Sequence, residues 1–198
     1  MVVRRLEARI NQRRRQQRSL MMTQLKTERL HLIALTKAQL ARTLDAPERL
    51  EQELGILFSR EQLKEPVPRA INMKLAKMAC AAQEMHPWYT YWLIVIPNES
   101  YSAGMVGFKG EPDEDGMVEI GYGIDEAYRC QGYMTEAIRA LIAWAFDDPA
   151  CRSVTAKGVL RSNIASQRVL TKAGLKVTDQ DAKSQNWRID RPGLTSRP

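Results

Sequence analysis

Apolar positions along this chain change their period several times, and each change marks an element. Leu30 to Leu35 reads as a first strand. Lys37 to Leu57 carries Leu40, Leu44, Leu50, Leu54 and Leu57 in a helical stretch, after which Pro66 and Pro68 punctuate the chain. Arg69 to Met85 predicts a second helix, with Ile71, Leu75, Met78 and Ala82 on one stripe. Tyr91 to Ile96 is a continuous apolar run of strand length, bounded by Pro97 and Asn98. Ala103 to Lys109 and Met117 to Ile124 predict a hairpin, because their connection carries the turn pair Asp115-Gly116.

Beyond Ile124 a short turn leads into a helix marked on one face by Met134, Ile138, Leu141, Ile142 and Ala145, ending near Asp147-Asp148-Pro149. Ser153 to Leu160 is the next strand. Asn163 to Ala173 is a short helix stopped by Gly174, where a left-handed C-terminal residue is expected. Leu175 to Thr178 and Asn186 to Ile189 supply closing strands. This order predicts one α/β (α+β) domain, a mixed, mostly antiparallel sheet flanked by helices, and not the regular alternation of a doubly wound fold. The expected boundaries are a basic extension over 1–22, the folded domain over 23–191 and a loose tail over 192–198.

Candidate chemistry concentrates in the turn Tyr128-Arg129-Cys130-Gln131-Gly132-Tyr133-Met134-Thr135-Glu136-Ala137. A strand that runs through a Gly-containing turn into a helix leaves the first helical N–H groups unpaired and aimed at one spot, where the helix dipole also favours phosphate oxygens. Gly132 removes the Cβ that would keep a ligand from the backbone. Arg129 adds a fixed positive charge suited to phosphate. An ordinary strand–helix turn has the same outline. Cys130 occupies a helix N-terminus, where thiol pKa values fall, yet no histidine is near it in sequence, so it reads as a bystander.

About thirty residues on comes Asn163-Ile164-Ala165-Ser166-Gln167-Arg168-Val169-Leu170-Thr171-Lys172-Ala173-Gly174. Together the two segments resemble motifs A and B of the GNAT superfamily of acetyl-CoA-dependent N-acetyltransferases. The first matches the Arg/Gln-x-x-Gly-x-Gly/Ala turn, with Met134 where a small residue is usual. Gly107-Phe108-Lys109-Gly110 and Val118-Glu119-Ile120-Gly121-Tyr122-Gly123-Ile124 resemble the central hairpin of the branch that includes the Rim-type ribosomal-protein acetyltransferases, and Thr27-Glu28-Arg29-Leu30 resembles its opening strand. The likeness runs from Thr27 to Asp190.

The resemblance implies acetyl-CoA as cosubstrate, with the cofactor's pyrophosphate on Arg129, Cys130, Gln131, Gly132, Tyr133, Met134 and Thr135. It implies that the pantetheine arm pairs with the backbone of Tyr122, Gly123 and Ile124, whose N–H groups are also candidate oxyanion donors. Gly121 and Gly123 suit a bulge or a close approach there. Asn163 caps its helix on sequence grounds, and the resemblance adds binding of the cofactor arm or orientation of the amine. Many relatives place a tyrosine seven residues after this Asn as proton donor to the sulfur. Here that position is Leu170, which leaves Ser166 as the hydroxyl for the coenzyme thiolate, beside a plain reading as a surface serine. An alkylamine with a pKa near about 10.4 must lose a proton before it attacks. Glu119, on the face of Gly121 and Gly123, is the candidate base, or else a salt-bridge partner. The acidic residues Glu111, Asp113, Glu114 and Asp115 could draw a cationic amine inward or simply solvate a hairpin tip. Trp88, Tyr89 and Trp92 read as core or as walls of the acceptor pocket.

Composition narrows the picture further. The 198 residues fit one domain and carry a net charge of +7. Residues 1–20 hold Arg4, Arg5, Arg9, Arg13, Arg14, Arg15 and Arg18 against Glu7, so six of the seven positive charges belong to the extension and the rest of the chain is nearly neutral. Nucleic acid is therefore an expected partner only through this arm. The arm could also be a solvated extension or precede the natural start, since Met21 and Met22 follow it. No apolar run reaches the roughly 20 residues of a membrane span, and no signal-peptide core opens the chain. Cys80, Cys130 and Cys151 form no C-x-x-C pair and read as reduced thiols of a cytoplasmic protein. Two histidines, His31 and His86, make a histidine-rich metal site improbable. The expected function is direct acetyl transfer to an amine, either a protein N-terminus or a small molecule, with a homodimer compatible with this branch. The alternatives are a CoA-binding sensor or partner protein with little turnover, and a polyanion-binding adaptor working through the arginine arm.

Overall fold

The computed structural model describes residues 24–193, so the arginine-rich extension over 1–22 and the tail after 193 lie outside the described residues. The chain opens with β1 (Gln24–Lys26) and β2 (His31–Ala34), then α1 (Lys37–Asp45), α2 (Pro47–Leu54), β3 (Leu57–Phe58), α3 (Val67–Cys80) and α4 (His86–Tyr89). The strands β4 (Trp92–Ile96), β5 (Tyr101–Phe108) and β6 (Met117–Ile124) follow. After α5 (Tyr133–Phe146) come β7 (Ser153–Leu160), α6 (Ile164–Ala173), β8 (Lys176–Gln180) and β9 (Ser184–Asp190).

These strands join in the order β1-β2-β4-β5-β6-β7-β9-β8, with β3 attached to β5. Among the described residues only β3–β5 and β6–β7 pair in parallel, which bears out the mostly antiparallel sheet. One face buries Phe108, Val118, Ile120, Ile138, Leu141 and Leu170 under α5 and α6, with Trp88 4.5 Å from Trp144 between ring centroids. On the other face, α1 and α3 cover Leu35, Leu40, Ile71, Met78, Leu93 and Met105. Both Trp88 and Trp92 belong to the first of these cores.

Several boundaries differ from the sequence expectation for identifiable reasons. The helical stretch Lys37 to Leu57 is two helices, because Pro47 starts a new one after Ala46 leaves helical geometry (φ −153°, ψ 60°). Leu57 leaves the helical stripe for β3. The helix expected to run to Met85 ends at Cys80. The segment Thr27-Glu28-Arg29-Leu30 is not a strand; it is the turn between β1 and β2, where Lys26 pairs with His31.

The sheet opens at one place. The strands β6 and β7 pair only over Met117–Glu119 and Ser153–Thr155, and past that point they diverge. The remaining five residues of β6 form one wall of a cleft, extending about 17 Å at the usual rise per strand residue.

Candidate active site

Backbone direction along β6 follows from three hydrogen bonds. The Lys109 N–H donates to Glu119 O (2.8 Å) and the Asp125 N–H donates to Ala103 O (2.8 Å), so odd-numbered residues turn their backbone groups toward β5. Thr155 Oγ1 donates to Val118 O (3.1 Å), so even-numbered residues face β7. Past Glu119 that leaves the backbone groups of Tyr122 and Ile124 facing the cleft beyond the last β6–β7 pair. Tyr122 and Ile124 thus occupy the positions expected of cofactor-pairing residues. Gly123 does not, because its backbone groups belong to the ladder with β5. Of the bulge or close approach that Gly121 and Gly123 would suit, the bulge is absent: the β5–β6 register runs unbroken from Gly104 opposite Ile124 to Phe108 opposite Ile120. A Cβ added at Gly121 or Gly123 would meet nothing within 4 Å. Their contribution is open space on the face they share with Glu119.

At the end of the cleft lies the turn. Cys130 (φ 62°) and Gly132 (φ 84°) both adopt left-handed backbone geometry, so the chain curls tightly just before α5. Gly132 is the N-cap, and no side chain caps the helix, so its first N–H groups keep no side-chain acceptor. Met134, the departure from the small-residue pattern, is 4% exposed and packs into the core away from the turn. Thr135 is also buried. Arg129 pairs with Glu126 (3.2 Å) on the surface, and Gln131 Nε2 donates to Ala127 O (3.2 Å).

The residue that holds this turn was missed. Arg29, in the β1–β2 turn, donates from Nη1 to Gln131 O (3.0 Å) and from Nε to Glu136 Oε2 (2.8 Å). Its guanidinium lies 4.8 Å from the Tyr133 ring centroid. A Cβ at Gly132 would stand 3.3 Å from its Nη2. Thr27 Oγ1 donates to the same carboxylate at 2.6 Å. Burial opposes ionisation of Glu136, but the Thr27 hydroxyl and the amide and guanidinium of Arg29 outweigh it and hold the carboxyl below its usual range. Nothing local links Arg29 to Glu136, which are 107 positions apart. The one cue in the sequence was the place of Arg29 in the segment Thr27-Glu28-Arg29-Leu30.

Across the cleft, Asn163 Oδ1 accepts from the Ser166 N–H (3.0 Å) and caps α6, as expected. Ser166 is half-buried, so its hydroxyl is neither lost in the core nor fully on the surface. Tyr122 Oη reaches Ser166 O at 3.5 Å, which brings a second hydroxyl to the cleft beneath α6. Burial raises the pKa of this phenol. Leu170, where relatives carry tyrosine, is fully buried. Glu119 is 21% exposed and forms an ion pair with Lys109. Lys77 in turn donates to Lys109 O (2.6 Å), and Tyr89 donates to Glu111 (2.9 Å). Asp113 uses its carboxylate to receive the N–H groups of Asp115 and Met117, so that part of the acidic tip is turn structure.

A coenzyme with a pyrophosphate and a long flexible arm fits these features: an uncapped helix start without a Cβ, a cationic side chain against it, and an unpaired strand edge leading away. Among the described residues there is no cluster of His, Cys, Asp and Glu able to hold a metal ion, and no helix is long and apolar enough to cross a membrane.

Residues 29–176 match the family described as "Acetyltransferase (GNAT) domain". The uncharacterized N-acetyltransferase YjdG of Bacillus subtilis (strain 168) is 35% identical over 96 residues, which span 48% of this chain and 56% of that relative. The fold of this chain is shared by the ribosomal-protein-S5-alanine acetyltransferase of Vibrio fischeri, which is 15% identical at a TM-score of 0.59, over 87% of this chain and 98% of its own. The ribosomal L7/L12 alpha-N-protein acetyltransferase RimL in complex with coenzyme A is 18% identical at a TM-score of 0.55, over 83% of this chain and 95% of its own.

Proposed function

The chain belongs to the acetyltransferase (GNAT) domain family, and from that premise we propose that it is an acetyl-CoA-dependent N-acetyltransferase. The observation that carries this reading is the continuity of the uncapped α5 start at Gly132 with the open edge of β6. When bound, acetyl-CoA supplies a thioester whose acetyl group an amine can take directly. In this reading the first N–H groups of α5, with Arg29 and Arg129, receive the pyrophosphate. Backbone N–H groups of Tyr122 and Ile124 hold the arm and meet negative charge on the carbonyl oxygen. Glu119 accepts the proton of the incoming ammonium, directly or through water. Asn163 fixes the start of α6, and Ser166 Oγ returns a proton to the departing sulfur.

The Lys109–Glu119 pair points to the class of amine. An acceptor must displace Lys109 before Glu119 can help it, so an amine that is already partly neutral has the advantage. A protein N-terminus, with a pKa of about 7.7–8.0, meets that condition near neutral pH, whereas an alkylamine near about 10.4 does not. We therefore place protein N-termini ahead of small amines as acceptors. All three cysteines are unpaired, which suits the reducing cytoplasm.

The test is acetylation of a panel of peptides and small amines, followed by mass and thiol release. Peptides with a free α-amine should be modified faster than those offering only lysine. Ser166→Ala should lower turnover more than cofactor affinity, and an unchanged rate would return Ser166 to an ordinary serine. The missing tyrosine at Leu170 and the occupied Glu119 favour one competing reading, a CoA-binding sensor or partner with little turnover. Tight CoA binding with no product from any amine would establish that alternative.

A further inference from the structure

A groove of about 830 Å3 runs from Gly132 along the outer side of α5. Its lining includes Arg29, Glu28 and Glu136 beside the turn, and Arg139 and Lys172 further along α5. Glu136 is already neutralised by Arg29, whose Nη2 lies 2.7 Å from its Oε2. Arg139 and Lys172 enter none of the ion pairs among the described residues. The Arg139 guanidinium donates to Lys172 O, which ties α5 to the end of α6 and sets the two cations on one wall. The groove thus starts at the Gly132 turn and carries a surplus of one positive charge, with Arg139 and Lys172 set against the carboxylate of Glu28, which is unpaired among the described residues. From Gly132 to Arg139 the helix advances about 10 Å.

We propose that this groove receives the ribose 3′-phosphate of coenzyme A, with Lys172 and Arg139 as its cationic contacts. The inference rests on the cofactor reading above and extends it to residues outside the turn. Coenzyme A carries, beyond its pyrophosphate, an adenosine bearing a phosphate monoester of charge roughly −1.5 to −2 near neutral pH. With the pyrophosphate at Gly132, the nucleoside follows the groove, and the monoester meets Arg139 and Lys172. A competing account gives the same two cations a structural task, stabilising the negative end of α6. Under that account they would not distinguish coenzyme A from its dephosphorylated form.

The experiment is calorimetric titration of the full chain with coenzyme A, dephospho-coenzyme A and adenosine 3′,5′-bisphosphate. The wild-type protein should bind coenzyme A about tenfold more tightly than dephospho-coenzyme A, and the bisphosphate should compete with coenzyme A. Lys172→Gln should remove most of that preference by weakening coenzyme A alone, and Arg139→Gln should do the same. Equal affinity of the wild-type protein for both coenzymes would overturn the proposal and leave the cofactor reading standing. An equal loss for both coenzymes in the two variants would also overturn it, in favour of the structural task. Binding of neither coenzyme would overturn the cofactor reading and this proposal with it.

Discussion

The helices α1 and α5 lie on opposite faces of the sheet and begin in opposite ways. At the start of α1, Thr36 Oγ1 accepts from the Gln39 N–H (3.2 Å), and the Gln39 side chain accepts from the Thr36 N–H (3.0 Å). That capping box satisfies the end of the helix from within the chain. The start of α5 has glycine in place of a capping side chain, a left-handed backbone, and an arginine stacked beside it. One helix end is closed for stability and the other is left available to a ligand. The starts of α2 and α3 also lack a side-chain cap, but neither has a left-handed glycine with a guanidinium beside it, and that combination is why we propose a ligand at α5.

The comparison can be broken most forcefully at the open end. Gly132→Glu adds bulk and negative charge in backbone geometry that disfavours any side chain, and it should reduce acetyl-CoA affinity by about 100-fold or more. Titration calorimetry checks this, and unchanged affinity would remove the turn from the cofactor site. A smaller effect, of the opposite kind, is expected at the closed end. Thr36→Ala should cost about 1 kcal/mol of stability, or roughly 2–4 °C in Tm, and leave acetyl-CoA affinity alone. Loss of affinity in that variant would mean that the two helix ends are not functionally separate.

The face of α1 and α3 also holds a buried amine that sharpens the contrast. Lys74 Nζ donates to Thr90 O (3.2 Å) and to Phe108 O and lies 4.5 Å from the Tyr91 ring centroid. Burial, helped by the charges of Lys77 and Lys109, pushes its pKa down to about 7 from the ordinary 10.5. Between those values the unfolded chain holds the proton and the folded chain does not, so this group makes stability rise with pH across that window. Below it both states are protonated, and the full cost of burying the charge falls on the folded protein. Chemical denaturation at several pH values should show this rise, and Lys74→Met should flatten it. A rise that persists in the variant would assign the effect to other groups.

How much of this could be read in the sequence varied with how local its cause was. Met117–Ile124 and Ser153–Leu160 were expected with the bounds they have, because each is a strand-length segment set off by turn residues. Gly132 and Asn163 were legible for the same reason, as residues whose roles at helix starts depend on their neighbours in the chain. The strand β1 was not, since Gln24–Lys26 has no apolar pattern and is a strand only by pairing with β2. The interruption at Pro47 was overlooked because the leucines on either side kept a helical spacing. Arg29 lay beyond reach for a different reason: its partners Gln131 and Glu136 are brought to it only by the folded sheet. The Lys109–Glu119 pair had a local cause, two strands of one hairpin, and the salt-bridge reading of Glu119 anticipated it.

The most direct test of the central claim is thermal unfolding of the full chain with acetyl-CoA, CoA or ATP. At 100 times its dissociation constant a ligand adds about 2.7 kcal/mol, a rise on the order of 5–10 °C at this size. The account predicts that rise with acetyl-CoA and with CoA, its absence with ATP, and its loss in Gly132→Glu. No rise with either coenzyme would contradict it, and the open start of α5 would then be only a turn.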